Sequence, residues 1–152
     1  MLSIFSKKDF FTEDEKKQIV EGIRTAEQKT SGEIRVFVES RCRYVDPLDR
    51  ASEIFLNLKM ALTADRNSVL IYLAVKDRQF AIYADKGIHE KLGEVFWKNQ
   101  VDSMTVHFRQ QNFKNAIVGV IGDIGTALFT HFPFNRETDK NELPDDIVFG
   151  KG

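Results

Sequence analysis

The first forty residues change from a helical to a strand-like spacing of apolar side chains. Thr12 and Glu15 have the spacing of a capping box, in which each side chain binds the other residue's backbone amide at a helix start. Apolar residues then recur at helical spacing, which predicts a helix from about residue 12 to 29. After a Ser-Gly pair, segment 33–40 alternates apolar and polar positions, and this pattern predicts a strand.

The middle of the chain is predicted to form a helix and then two strands. Asp46 and Pro47 suit the N-cap and the first position of a helix that runs to about Met60. The apolar run 68–75 is typical of a central strand that is buried on both faces. A short charged turn separates this run from segment 79–84, so the two segments predict a hairpin.

The last third of the chain is predicted to be mostly helical. A short turn or helix at 88–92 ends at Gly93, and a longer helix follows from residue 94 to 110. Asn112 is a candidate N-cap for one more helix, which Pro133 closes because proline cannot continue a helix.

This order of elements predicts the fold class. Helical crossovers between strands, together with one hairpin, favour an α/β fold: a three-layer α/β/α sandwich with a mixed central sheet flanked by helices. We therefore expect one domain over residues 1–133. Residues 134–152 form an acidic, polar tail with one apolar patch, Ile147–Phe149, and we expect this tail to be partly flexible.

Composition excludes several classes of protein. The 152 residues are 42% hydrophobic and 30% charged, which is typical of a single globular domain. The 22 basic and 23 acidic residues give a net charge of −1 without a dense basic block, which argues against nucleic-acid binding. Cys42 is the only cysteine and cannot form an internal disulfide. Neither a signal-peptide core nor a membrane-spanning stretch is visible, so we expect a cytoplasmic protein.

Familiar catalytic motifs are missing from the sequence. It contains neither a glycine-rich phosphate loop nor a Gly-x-Ser-x-Gly motif. His89 and Glu90 begin like a zinc-protease helix, but Gly93 stands where the second histidine belongs. Arginines flank Cys42 on both sides, yet no histidine lies nearby in sequence to activate the thiol. An inert cysteine side chain is the simpler interpretation.

Three acidic residues at the ends of predicted strands are candidate metal ligands. Glu33 begins the first strand, Asp65 precedes the second and Asp85 follows the third. Loops beyond strand ends bind ligands in open α/β sheets, and Ca²⁺ or Mg²⁺ takes carboxylate and carbonyl oxygens. If Asp65 and Asp85 reach the same edge of the sheet, they form a two-carboxylate seat. On spacing alone, the simpler alternative is that each aspartate makes a turn or caps a helix.

Several segments resemble the TPM domain, a family named for a thylakoid lumen protein, a photosystem II repair protein and a nematode receptor modulator. The similar segments are the first-strand motif at Thr30–Val36, the entry to the second strand at Asp65–Leu70, the hairpin and following glycine at Lys76–Ile88, and the later segment Phe108–Ile117. The resemblance spans about residues 10–132, and the chain is similar to the small, stand-alone bacterial members.

The resemblance implies an α/β/α sandwich with a divalent-cation site, often for Ca²⁺, at acidic loops on one edge of the sheet. Asp65 and Asp85 match loop positions of the family, and Glu33 matches the start of its first strand. Acid-phosphatase activity is attributed to some plant members, and most relatives are exported or membrane-anchored. The chain departs from the family at Ser68, where glycine is common, and at Asp85, where many relatives carry a non-acidic residue.

Three functions follow as alternatives. The first is a divalent-cation-binding module that takes Ca²⁺ or Mg²⁺ at Asp65 and Asp85, with Glu33 as a further ligand. The second is a metal-assisted phosphomonoesterase in which Asp85 acts as the base, although no nucleophile is evident. The third is a protein-interaction or assembly module that binds its partner through the tail 134–152.

Overall fold

The computed structural model describes residues 10–134 and 147–150, which form four helices and four strands. In chain order these elements are α1 (Glu13–Glu27), β1 (Glu33–Glu39), α2 (Pro47–Asn57), β2 (Ser68–Ala74), β3 (Gln79–Ala84), α3 (Lys86–Arg109), α4 (Phe113–His131) and β4 (Ile147–Phe149). Every helix and strand predicted from the sequence is present. The strand β4 is an addition to the predicted set.

The strands form one mixed sheet in the order β3-β2-β1-β4. β1 pairs in parallel with β2, with Glu33 opposite Ser68, and β2 pairs antiparallel with β3 as the predicted hairpin. The parallel pair is possible because α2 carries the chain back between β1 and β2. β1 and β2 therefore begin at one end of the sheet and finish at the other. We call these the amino end and the carboxyl end of the sheet.

Helices cover both faces of the sheet, which confirms the predicted three-layer sandwich. Alternate residues of β1 point to opposite faces. Val36 belongs to the core cluster that includes residues of α1, α3 and α4, whereas Phe37 belongs to the cluster that includes residues of α2. In β2, Ile71 likewise belongs to the first cluster and Tyr72 to the second. All seven residues of β2 are buried, as expected for a central strand.

The helix ends agree with the sequence prediction in three of four cases. Thr12 and Glu15 make both hydrogen bonds of the capping box, and the Asp46 side chain accepts from the Leu48 amide. Gly93 interrupts α3 with a φ of 77°, a backbone conformation that residues with a Cβ rarely adopt. Asn112 occupies the N-cap position of α4 but makes no capping hydrogen bond with its side chain. None of the helices within the described residues is long and apolar enough to cross a membrane.

The apolar patch of the predicted tail belongs to the sheet. Ile147–Phe149 forms β4, which pairs in parallel with Val36–Val38 of β1. Ile147 is buried, and Lys16 of α1 lies over the Phe149 ring at 5.4 Å from its centroid. The patch thus pairs with the sheet, and the expectation that the tail 134–152 is partly flexible stays a prediction. The rest of the predicted tail, residues 135–146 and 151–152, lies outside the described residues, as do residues 1–9 of the predicted domain.

Candidate functional site

The three acidic residues predicted from the sequence all lie at the amino end of the sheet. Glu33 starts β1, and Asp65 lies in the loop that leads to β2. Asp85 follows β3, whose last residue pairs with Val69 near the start of β2. Glu33 and Asp85 are buried, whereas Asp65 is exposed. Within residues 10–134 and 147–150, however, no three His, Cys, Asp or Glu side chains form a group that could hold a metal ion.

Asp85 is engaged by its neighbours. Its Oδ2 accepts from Arg66 Nε at 2.6 Å and its Oδ1 from Arg66 Nη2 at 2.7 Å, so the arginine binds both oxygens. Oδ1 also accepts from the Lys86 amide at 2.8 Å, which makes Asp85 the N-cap of α3. The hydrogen bond that Arg66 donates to Asp85 is the main cause that raises the pKa of Arg66. The alternative interpretation from sequence, an aspartate that caps a helix, therefore describes Asp85 correctly.

Arg66 also fixes the loop before β2 through its backbone. Its carbonyl accepts from the amides of Gly87 at 2.8 Å and Ile88 at 3.3 Å, and its φ is 51°. The loop approaches α3 so closely that a Cβ at Gly87 would lie 2.2 Å from the Asp65 carbonyl oxygen. The backbone beside Asp65 is thus held in place by the first turn of α3.

Asp65 takes part in a short chain of polar contacts with Ser31 and Asn67. Ser31 Oγ donates to Asp65 Oδ2 at 3.5 Å, a long hydrogen bond, and Asn67 Nδ2 donates to Ser31 Oγ at 3.1 Å. Asn67 is only 1% exposed. Its Oδ1 is buried and has no hydrogen-bond partner among the residues that the structure describes. A buried acceptor without a partner is costly, so this corner has capacity for one more donor or a cation.

A second charged site, at the carboxyl end of the sheet, was missed from the sequence. Glu39 ends β1, and its side chain is only 9% exposed. Arg50 of α2 binds both of its carboxylate oxygens at 2.9 Å, and the Tyr72 hydroxyl donates to Glu39 Oε2. Arg50 also donates to Glu53, which accepts in turn from the Tyr44 hydroxyl. One arginine thus bridges two carboxylates, and each carboxylate also accepts a hydrogen bond from a tyrosine hydroxyl.

These contacts shift the pKa of Arg50, Glu53 and the two tyrosines in the direction that keeps the hydrogen bonds of the network in place. The hydrogen bonding that Arg50 donates to Glu39 is the main cause that raises the pKa of Arg50. Burial is the main cause that raises the pKa of Tyr72, followed by its hydrogen bond to Glu39. The hydrogen bond from Tyr44, and then that from Arg50, lowers the pKa of Glu53. Arg50 and Glu53 are therefore held in their charged forms, and the two tyrosines keep their protons.

A polar cavity of about 420 Å³ opens beside this network. Four cationic side chains line it, namely those of Arg41, Arg43, Arg50 and Lys76. Asp77 lies next to this group, where it accepts from the Cys42 amide at 2.7 Å and from Arg41 Nη1 at 3.3 Å. The sequence prediction considered Arg41 and Arg43 only as neighbours of Cys42. A sequence signal did exist, because Arg50 and Glu53 stand three residues apart on a predicted helix, where side chains meet.

The fold and the two charged ends define the class to which the chain belongs: small α/β/α sandwiches with a mixed sheet and polar sites at the strand ends. Residues 4–127 match the TPM domain, and the chain belongs to the TPM-domain family. Both the family and the fold class predicted from the sequence are therefore confirmed. A comparison with curated proteins gave no match.

Solved structures agree with this assignment. The chain is 43% identical to the BA42 protein of the psychrophilic bacterium Bizionia argentinensis, with a TM-score of 0.86 over 99% of this chain and 100% of that one. It is 12% identical to the N-terminal domain of the cg2496 protein from Corynebacterium glutamicum, with a TM-score of 0.59 over 97% and 89% of the two chains. An N-terminal domain from P. gingivalis is also 12% identical, with a TM-score of 0.66 over 88% and 99%. The last two similarities concern the fold alone.

Proposed function

We propose that this TPM domain binds a divalent cation, Ca²⁺ or Mg²⁺, at the amino end of the sheet, with Asp65 as the charged ligand. The observation that carries the proposal is the buried Asn67 Oδ1, which lies in one polar chain with Ser31 and Asp65 and lacks a described partner. Carboxylate, amide and hydroxyl oxygens suit hard cations, and water completes their coordination. The donor set at this corner therefore fits the ion that the family resemblance implies.

The proposal changes the role of Asp85. Both oxygens of Asp85 already accept hydrogen bonds from Arg66, whose positive charge also opposes a second cation nearby. We assign Asp85 to holding the loop and α3 together, which positions the Asp65 backbone. For Glu33 the structure gives a buried position at the start of β1, and its role as a ligand stays a prediction.

The other two functions have less support. The phosphomonoesterase hypothesis used Asp85 as a base, but both oxygens of that carboxylate already accept hydrogen bonds from Arg66. The interaction hypothesis used the tail, but its apolar patch is occupied in pairing with β1. The cytoplasmic location also stays a prediction from the sequence.

Calorimetric titration of metal-stripped protein with Ca²⁺ and with Mg²⁺ tests the proposal. With one carboxylate and two neutral side-chain oxygens, we expect weak binding, with a Kd of about 10⁻⁴–10⁻³ M. Asp65→Asn should abolish the binding, because it removes the charge and keeps the shape of the side chain. Asp123→Asn is the matched control, since Asp123 is an exposed aspartate on α4, far in sequence from the loop. Equal isotherms for the two variants would refute the proposal.

A further inference from the structure

The cavity at the carboxyl end of the sheet is lined by cationic side chains that acidic neighbours do not fully balance. Arg50 is balanced by Glu39 and Glu53, and Arg41 lies 3.3 Å from Asp77. The side chains of Arg43 and Lys76 make no hydrogen bond or ion pair with any other residue that the structure describes. Four cationic and two acidic side chains line the cavity, and once Asp77 beside Arg41 is counted the group keeps an excess of one positive charge. Like charges repel, so such a grouping favours an anion between them.

The walls of this cavity are held by backbone hydrogen bonds. The Val75 amide donates to the Glu39 carbonyl at 2.9 Å, and the Lys76 amide donates to the Ser40 carbonyl at 2.8 Å. Together with the contact between the Cys42 amide and Asp77, these bonds fix the segments that carry Arg43 and Lys76. The two cations therefore project from a preorganised frame, which lowers the entropy cost of binding a ligand.

The position of the cavity also favours a ligand. It lies beyond the carboxyl ends of the parallel strands β1 and β2, where open α/β sheets bind their ligands. Its volume of about 420 Å³ falls within the range of small-molecule sites, about 300–1,000 Å³. The lining is mostly polar and cationic, which suits an oxyanion better than an apolar molecule.

We propose that this cavity binds a small organic oxyanion, a molecule that carries phosphate or carboxylate groups, between Arg43 and Lys76. The seven residues of β1 separate this cavity from the amino end by about 20 Å. A cation at Asp65 therefore does not reach the bound anion, and the two sites bind independently. The anion site consequently does not depend on the proposed function.

The test uses the full chain, stripped of metal, and two probes: inorganic phosphate and citrate. Each probe is titrated at constant ionic strength and followed by amide chemical shifts, because simple screening would otherwise mimic binding. We expect saturable binding of at least one probe, with shifts centred on residues 40–44 and 75–77. The preferred probe distinguishes phosphate from carboxylate recognition.

The decisive variant is Arg43→Gln/Lys76→Gln, which should weaken binding by about tenfold or more. Lys17→Gln/Lys98→Gln is the matched control, because it removes the same charge from two exposed helical positions. The control and Asp65→Asn should each bind as the unchanged protein does. Thermal melts of both double variants verify that they fold. Binding that survives in the first variant, weakens equally in the control, or never saturates for either probe would overturn the proposal.

Discussion

The two ends of the sheet contain the same kind of ion pair in different surroundings. At each end one arginine binds both oxygens of a buried carboxylate, Asp85 at the amino end and Glu39 at the carboxyl end. The Arg66 side chain is 38% exposed, whereas that of Arg50 is 24% exposed and also bonds a second carboxylate. Arg50, the more buried of the two arginines, therefore depends more on its partners, because a buried charge without a partner is costly.

The difference also determines what each end has left to offer a ligand. After the ion pair is formed, the amino end retains the exposed Asp65 and the buried Asn67 Oδ1. The carboxyl end instead retains the cations Arg43 and Lys76. The paired residues thus serve the fold, and the residues beside them give the two ends opposite charge. A cation at one end and an anion at the other is the arrangement that this contrast supports.

The largest expected effect comes from removing Arg50. Arg50→Met leaves the Glu39 carboxylate buried with only the Tyr72 hydroxyl, so we expect the free energy of unfolding to fall by about 3–5 kcal/mol. Urea unfolding at neutral pH measures this loss. Glu53→Gln removes only a partly exposed carboxylate from the same arginine, and should cost much less because solvent screens such a pair. Similar losses for the two variants would show that the buried pair is not special.

The next effect tests the close approach of the loop and α3 at the amino end. Gly87→Ala forces a Cβ to within 2.2 Å of a backbone oxygen, so something must shift. We expect a loss of about 1–3 kcal/mol, as for overpacked cores, measured by urea unfolding. Gly119→Ala is the control, since a Cβ there meets nothing within 4 Å, and it should be neutral or stabilising by up to about 1 kcal/mol. A Gly87→Ala protein as stable as this control would contradict the described loop.

A smaller pair of effects separates the two aspartates of the amino end. Asp85→Ala removes the N-cap of α3 and the partner of Arg66, so we expect a loss of about 0.5–2 kcal/mol. Asp65→Ala removes one exposed side chain and should change stability by about 0.5 kcal/mol or less. Thermal melts with and without Ca²⁺ distinguish them further, because only Asp65→Ala should abolish stabilisation by the cation. If Asp85→Ala abolished the stabilisation by Ca²⁺ and Asp65→Ala did not, Asp85 would be the cation ligand.

The fold could be predicted from the sequence because its signals are local. The apolar run of β2, the alternation in β1 and the capping box at Thr12 each lie within a few neighbouring residues. The strand β4 could not be predicted in the same way. It has three residues, and its strand conformation depends on pairing with β1, more than a hundred residues earlier in the chain.

The candidate sites were predicted only in part, for the same physical reason. Strand order brings Asp65 and Asp85 to the same end of the sheet, which the sequence alone had left open. The pairing of Asp85 with Arg66 depends on how the loop packs on α3, which no pattern in the sequence reports. Glu39, Arg50 and Tyr72 come from three separate elements and meet only in the folded chain.

The smallest expected effect is a change in the alkaline pH dependence of stability, which Tyr72 sets at the carboxyl end. Its folded-state pKa is raised above the ordinary value of 10.0, first by burial and then by Glu39. Below about pH 10 the tyrosine is protonated in both states and its contribution to stability is complete. Above that pH the unfolded chain loses the proton and the native chain keeps it, so stability falls by up to about 1.4 kcal/mol per pH unit. Tyr72→Phe should therefore reduce the alkaline slope of the urea midpoint. Tyr44→Phe should reduce the alkaline slope less, because the Tyr44 hydroxyl is more exposed. Parallel slopes for Tyr72→Phe and the unchanged protein would contradict this account.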